Sequence, residues 1–413
     1  MNNNPVTALM LALGIILFAA RMGGEIARKF DQPRVLGELL IGVILGPTLL
    51  NMLHSSALGL ADAHLDATII ELAELGVMLL MFKVGLEVNV GELMKVGVVA
   101  GIAGAAGAVV PVLMVLPAVM LFGYSWQPAL FAGVTLAATS VSISAQVLLE
   151  LGLLQTKEGN ALLATALIDD VIAILLVSLT VAITGTGGSV DAGSLINIIL
   201  RMAGYLVIAF VVAWFGLPVL MQWLNRWFDL SKAYGNAAVG LVMALVFGWA
   251  AQSFGGVAAI TGAFIAGVGL SRAQRQIKHQ IEESVDAIAY AFLVPIFFVS
   301  VGLQTDLSDF PLNAIPLAVV LLVLAVVSKL VGCGVGARLG GFDKAQSLRL
   351  GVCMISRGEV GLIIAALGLS SGILTLDDPL FLCLFLVILL TTVVTPPLVR
   401  RVFNSAGQGA KGT

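Results

Sequence analysis

Thirteen runs of mainly apolar residues follow one another along this chain, separated by short polar breaks. They begin near Val6, Val35, Thr68, Leu93, Trp126, Glu158, Ser194, Gly235, Gly256, Val285, Pro311, Gln346 and Asp378. Each is long enough, at roughly 20 residues, to cross the hydrocarbon core of a bilayer as a helix. In water these runs would demand a polar cover that the sequence lacks. Charged residues make up only 11% of the chain, against about 25% in soluble domains. The expected fold is an all-α polytopic membrane protein with 13 transmembrane helices. A net charge of -3 gives no reason to expect nucleic acid as a partner. Cys333, Cys353 and Cys383 lie in apolar runs without metal-ligand spacing and read as packing residues.

The basic residues test the count. Loops after odd-numbered runs hold Lys and Arg, among them Arg28, Lys29, Arg226, Lys232, Arg272, Arg400 and Arg401. Loops after even-numbered runs, such as "NMLHSSALGLADAH", "FGYSWQ", "TGTGGSVDAG" and "QTDLSDF", hold none. Cytoplasmic loops carry the excess of Lys and Arg, so the N-terminus is expected outside and the C-terminus in the cytoplasm. The first run follows "MNNN" and lacks the positive flank of a signal peptide, so it reads as a retained helix. Of the 21 Lys and Arg, three fall inside runs: Arg201, Lys329 and Arg357. Arg201 reads as a snorkelling residue of the outer leaflet. His54, His64 and His279 fall in predicted loops.

The chain repeats itself. "GELLIGVILG" (37–46) resembles "GAFIAGVGLS" (262–271), and "VMLLMFKVGL" (77–86) resembles "VPIFFVSVGL" (294–303). A fainter likeness joins "GVTLAATSVS" (133–142) to "GVCMISRGEV" (351–360). The common offset of about 220 residues corresponds to seven runs, so the copies cross the membrane in opposite directions. Inverted six-helix repeats, runs 1–6 and 8–13 about a linking run 7, mark secondary transporters with a site near the midplane.

Run 6 carries the costliest feature, the adjacent Asp169 and Asp170 of "LLATALIDDVIAILLVSL". Asp169 lies about eleven residues in, roughly 16 Å along a helix, near the middle of a core about 30 Å thick. Lys329 lies in the inner half of run 11. Arg357 and Glu359 fall near the centre of run 12, where they could neutralise each other and stabilise a helix break. Ionisable groups at that depth are functional candidates and normally pair. Runs 5 and 12 are interrupted at matching places, "AATSVSIS" with Thr139 and Ser140, and "ISRGEVG". Small and hydroxylated residues there permit unwound backbone that lines a cavity. Neighbours on a helix diverge by about 100°, so Asp169 and Asp170 face different surroundings. One can meet a cation of the protein while the other meets the cavity. A carboxylate that holds a proton or a small cation, never both, makes an exchanger by competition.

These residues resemble the monovalent cation:proton antiporter-2 family, closest to electrogenic bacterial sodium/proton antiporters of the NhaA-like fold. The carriers of the likeness are the "DD" pair, the "AATS" break, "VSKLVG" and "SRGEVGLI", and it covers Val6 to about Phe403. The resemblance implies a homodimer in a bacterial inner membrane, active in pH homeostasis. It implies dimerisation-domain helices in 1–90 and 231–308, core-domain helices in 91–186 and 309–403, a linker in 187–230 and a cytoplasmic tail in 404–413. Two broken helices would cross in the core, which would move against the dimer domain to alternate access. Asp170 matches the carboxylate that binds cation or proton, Asp169 the partner of Lys329, and Thr139 a position beside the site. Ser140, Arg357 and Glu359 match supporting positions around the breaks. No cofactor and no enzymatic activity are implied.

Sodium, lithium and potassium all remain open as the cation at this point. A potassium/proton exchanger is the near alternative; ligand-gated potassium efflux members of the family carry a nucleotide-binding domain after the last helix, and the short "NSAGQGAKGT" after Phe403 favours the expectation of a plain exchanger. A sodium-coupled solute symporter would need a cavity larger than an ion site. An intramembrane aspartyl protease needs carboxylates that face each other and share a proton, which adjacent residues on one helix do not. A passive channel fits poorly with inverted repeats and a buried ion pair.

Overall fold

A computed structural model gives the architecture for residues 5–409, apart from positions 56, 57, 59, 61–64, 89, 90, 92–94, 186–191, 229, 231, 233, 305–309, 359, 362, 363, 366, 367, 369–372 and 375–377. The regular structure among the described residues is all helical, with no strand. The first half holds α1 (Pro5–Lys29), α2 (Arg34–Leu45), α3 (Asp66–Glu87), α4 (Gly97–Leu121), α5 (Trp126–Ala137), α6 (Val141–Glu150) and α7 (Lys157–Gly185). Helix α8 runs from Ala192–Val211 through a π-helical turn, Val212–Gly216, into Leu217–Trp227. The second half holds α9 (Gly235–Gly255), α10 (Ala259–Leu270), α11 (Arg275–Leu303), α12 (Ile315–Leu339), α13 (Lys344–Cys353) and α14 (Pro379–Gly409).

Nine helical stretches among the described residues are long and apolar enough to cross a membrane, counting α5 and α6 together as Trp126–Glu150. Helices α2 and α10 are short, at 12 residues each, or about 18 Å. Helix α3 has the length but carries Glu71, Glu74, Lys83 and Glu87. Large apolar side chains such as Met10, Phe18, Leu113, Val319 and Leu339 point outward, as lipid-facing residues do.

Two regions of packing can be distinguished. Helix α4 lies along α12, α5 and α7, and α12 lies along α13 and α14. Elsewhere α1 packs on α2, α2 and α3 pack on α11, and α3 packs on α10, which is backed by α9. Between bilayer helices there is little hydrophobic drive, so close approach by small residues supplies the contact. Gly42 of α2 leaves room only for the backbone of Val299 in α11, and Gly302 for that of Gly42. Gly85 of α3 is filled in the same way by Phe264 of α10, and Gly267 by Phe82. A single methyl at any of the four would meet backbone.

One boundary departs from the sequence expectation. Run 10 is expected from near Val285, yet α11 begins at Arg275. The segment "RQIKHQIEESVDAI" is too polar to read as a span. It still forms a helix because Ile277, Ile281 and Val285 make a buried stripe at helical spacing. His279, expected in a loop, therefore sits on this helix, while His54 lies in a 3-10 turn with Asp66 3.6 Å away. His64 lies outside the described residues.

Candidate ion site at two helix breaks

Helix α5 stops at Ala137 and α6 starts at Val141, leaving Ala138, Thr139 and Ser140 non-helical. Helix α13 stops at Cys353, residues Ile355 to Gly358 are non-helical, and the chain is helical again at Val360. The two breaks touch. Ser140 N donates to Ser356 O (3.0 Å), and Ser356 Oγ donates to Ser140 O (2.6 Å). Gly358 allows this approach, since a Cβ there would lie 2.7 Å from the Ser140 side chain. Ser140 Oγ is also 3.0 Å from Ser142 Oγ.

Breaking a helix frees carbonyls whose partial charges are negative at its C-terminal end. Arg357 gathers them. Its guanidinium donates to Leu136 O at the end of α5 (2.8 Å), to Met354 O (3.2 Å) and Ile355 O (2.5 Å) after α13, and to Ala325 O of α12 (3.0 Å). Its own carbonyl accepts from Thr392 Oγ1 of α14. The side chain is fully buried. The expected pairing with Glu359 lies outside the described residues.

The aspartates stand beside this crossing. Asp169 is fully buried, with Lys329 Nζ 2.9 Å from Oδ1 and Thr139 Oγ1 donating to Oδ2 at 2.6 Å. Lys329 is itself fully buried. The break places Thr139, α7 places Asp169 and α12 places Lys329, so three elements meet at one carboxylate. Gly107 of α4 covers the pair: a Cβ there would lie 3.5 Å from Asp169 Oδ1, 3.6 Å from Lys329 Nζ and in collision with Cys333. Cys333 is thus a packing residue, as expected, but one that packs on the charged centre.

Asp170 is turned elsewhere. It is half-buried and lines a small cavity of about 30 Å³ with Val141, the first residue of α6, and Leu163, Ala166 and Leu167 of α7. The opposite wall is Met81 of α3 with Ile260, Thr261 and Phe264 of α10. A helix N-terminus favours a negative group beside it, and Val141 supplies one. A single water needs about 10–15 Å³ of such space. This space admits a water or a small ion stripped of most of its shell.

Each site residue expected from the sequence and lying among the described residues falls at the crossing: Thr139, Ser140, Asp169, Asp170, Lys329 and Arg357. Sequence reasoning missed Gly107 and Thr261, because glycine and threonine are too common in membrane helices to stand out.

Buried charges held at the meeting of two interrupted helices define an integral membrane carrier for a small ion. The chain belongs to the family described as sodium/hydrogen exchanger, transmembrane, which matches residues 12–404. It is 35% identical over 401 residues to the Na(+)/H(+)-K(+) antiporter GerN of Bacillus cereus, covering 97% of this chain and 98% of that one. It is 34% identical over 391 residues to a Na(+)/H(+) antiporter of Enterococcus hirae, covering 94% and 96%. The fold is similar to that of the sodium proton antiporter MjNhaP1 of Methanocaldococcus jannaschii, with a TM-score of 0.66, 16% identity, and 97% and 98% of the two chains covered. The resemblance in the sequence is borne out at the level of the antiporter family, and the structural match found is to an NhaP protein rather than to NhaA.

Proposed function

We propose that the protein exchanges sodium for protons across a bacterial inner membrane by competition of the two at Asp170. The observation that carries this reading is the split between neighbours. Asp169 is engaged by Lys329 and Thr139, while Asp170 lines a small cavity. A proton on Asp170 removes the charge that a cation needs, so one site serves the two ions in turn. Lys329 carries the second charge. When a cation enters, its positive field weakens the hold of Asp169 on Lys329, and loss of the lysine proton in that step makes the exchange electrogenic.

The remaining features follow the same reading. The glycine contacts exchange under the repeat: Gly42 of the first half on Gly302 of the second mirrors Gly267 of the second half on Gly85 of the first. This supports two inverted six-helix repeats and thirteen spans, with the N-terminus outside and the C-terminus in the cytoplasm. The α4–α7 and α12–α14 group is the moving core, and α1–α3 with α9–α11 the dimerisation domain, joined by α8. Between the groups, Arg34 N donates to Glu150 Oε2 (2.9 Å) and Tyr290 Oη to Gln146 Oε1 (3.2 Å). Alternating access must break both.

Proteoliposome flux with sodium, lithium or potassium, at clamped and free membrane potential, tests the proposal. Sodium is expected to drive proton movement that responds to potential. Acidification is expected to raise the apparent KM for sodium while leaving the maximal rate in place. Flux blind to every cation sinks the antiport, flux blind to potential sinks the electrogenic step, and a response to potassium alone replaces the cation.

A further inference from the structure

Of Arg201, Lys329 and Arg357, the three basic residues expected inside the apolar runs, Arg201 is the one that the crossing does not use. It sits on α8, exposed, at one end of a groove of about 530 Å³ between α8 and α9. Its Nε donates to Phe254 O (2.5 Å) and its Nη2 to Ser253 O (2.6 Å), at the end of the π-helical turn Ala251–Gly255. Those carbonyls offer partial charge only. No carboxylate pairs with Arg201 among the described residues, so its full positive charge stays open at the groove's mouth. The loops on this side of the membrane carry no Lys or Arg, which makes a cation here harder to explain by topology.

The groove itself is apolar, with walls from Tyr205, Ile208, Val212, Val246 and Phe254. From Leu200 to Val212 it follows twelve residues of α8, about 18 Å. That is a little over half of a core about 30 Å thick, the depth one acyl chain reaches. Tyr205 is fixed in the wall by its Oη, which donates to Phe247 O (2.9 Å). Gly204 lines the groove, and a Cβ built on it would meet nothing within 4 Å. Helix packing therefore does not require glycine there. What glycine does is keep the groove open.

We propose that this groove binds one phospholipid with an anionic headgroup, its phosphate on Arg201 and an acyl chain running down to Val212. An unneutralised guanidinium beside a chain-length apolar channel selects for both parts of such a molecule, and neither part alone explains the other.

Native mass spectrometry of the full chain in mild detergent tests this, with phosphatidylglycerol, phosphatidylcholine or inorganic phosphate added. The wild type is expected to retain one phosphatidylglycerol per chain in preference to phosphatidylcholine, and no inorganic phosphate. Arg201→Gln is expected to lower that preference about fivefold, the weight of one basic residue at a lipid surface, and Arg201→Lys to keep most of it. Gly204→Leu is expected to lower retention of both lipids while leaving the thermal midpoint in lipid-free detergent unchanged. The proposal is overturned if Arg201→Gln keeps the preference, if inorganic phosphate is retained as well as lipid, or if Gly204→Leu disrupts a dimer without changing lipid retention. The last result would assign the groove to a second copy of the chain.

Discussion

On one face of α7 the carboxylate of Asp169 is buried between Lys329 and Thr139, each on a different element. On the adjoining face Asp170 lies at the edge of a cavity whose far wall belongs to α3 and α10. The Asp169 carboxylate is held inside one packing region, by Lys329 of α12 and Thr139 of the α5–α6 break, with Gly107 of α4 over the pair. The Asp170 carboxylate faces a seam between two regions. A group whose partners all belong to one rigid unit keeps them through a movement. A group at a seam changes its surroundings whenever the units slide. In the proposed exchange the pair divides the work by location, with a fixed charge behind and an exchangeable one in front.

The strongest way to break this comparison is to neutralise each carboxylate alone. Asp170→Asn is expected to reduce sodium-driven proton flux to that of protein-free vesicles, while changing stability less than Asp169→Asn does, because Asp170 is only half-buried. Asp169→Asn is expected to reverse the balance of damage. It leaves Lys329 buried and unpaired, at a cost of about 3–5 kcal/mol, read as a lower thermal midpoint. If both variants lose stability alike, or lose flux alike with stability intact, the two carboxylates do not differ as described. Adding Lys329→Met to Asp169→Asn is expected to recover most of the midpoint, because removing both members of a buried pair is often nearly neutral.

A smaller effect is expected at Thr139. Its hydroxyl donates to a charged oxygen of Asp169 from a segment that no helix holds in place. Thr139→Val keeps the shape and removes the donor, and the loss of a hydrogen bond to a charged group is about 1.5–3 kcal/mol. Thr139→Ser is expected to restore it. The midpoint shift should shrink strongly when Thr139→Val is made in the Asp169→Asn background, since the charge it serves is gone. Additive shifts there would show that Thr139 acts on the break and not on the carboxylate.

How far the sequence reaches is visible in the same residues. Asp169 and Lys329 announce themselves because a charge in an apolar run is costly and must find a partner. With few such charges in the chain, the choice of partner is narrow. Thr139 follows from the break that the repeat marks. Arg357 is conspicuous too, but its acceptors are not, since Leu136, Ile355 and Ala325 contribute carbonyls that every residue has. The π-helical turns in α8, α9 and α11 leave no trace in the hydropathy pattern, because one extra residue in a turn shifts a lipid-facing stripe without changing its composition. The amphipathic start of α11 is lost for the opposite reason: average polarity hides three buried apolar positions. Function is legible where chemistry is rare, and fold is legible where hydrophobicity is continuous.

The seam itself is tested by its far side. Thr261 is buried on α10, in the wall opposite Asp170, and belongs to a different packing region from the carboxylate it faces. If a cation in the cavity draws on both walls, the Thr261 hydroxyl is one of few oxygens placed to meet it. The other residues there, Met81, Ile260 and Phe264, offer apolar side chains. Thr261→Val preserves volume and removes that oxygen. An ordinary hydrogen-bond-sized contribution of about 1 kcal/mol corresponds to a rise of about fivefold in the apparent KM for sodium. The maximal rate should stay near that of the unmodified protein, since the proposed proton site on Asp170 is untouched. The thermal midpoint should also hold, because the ion pair of Asp169 and Lys329 lies behind α7 and shares no contact with Thr261. A change in maximal rate without a change in KM would place Thr261 on the moving contact and not in the ion's coordination. An unchanged KM together with an unchanged rate would confine the ion to the α6 and α7 side of the seam, and binding would then not depend on the approach of α10.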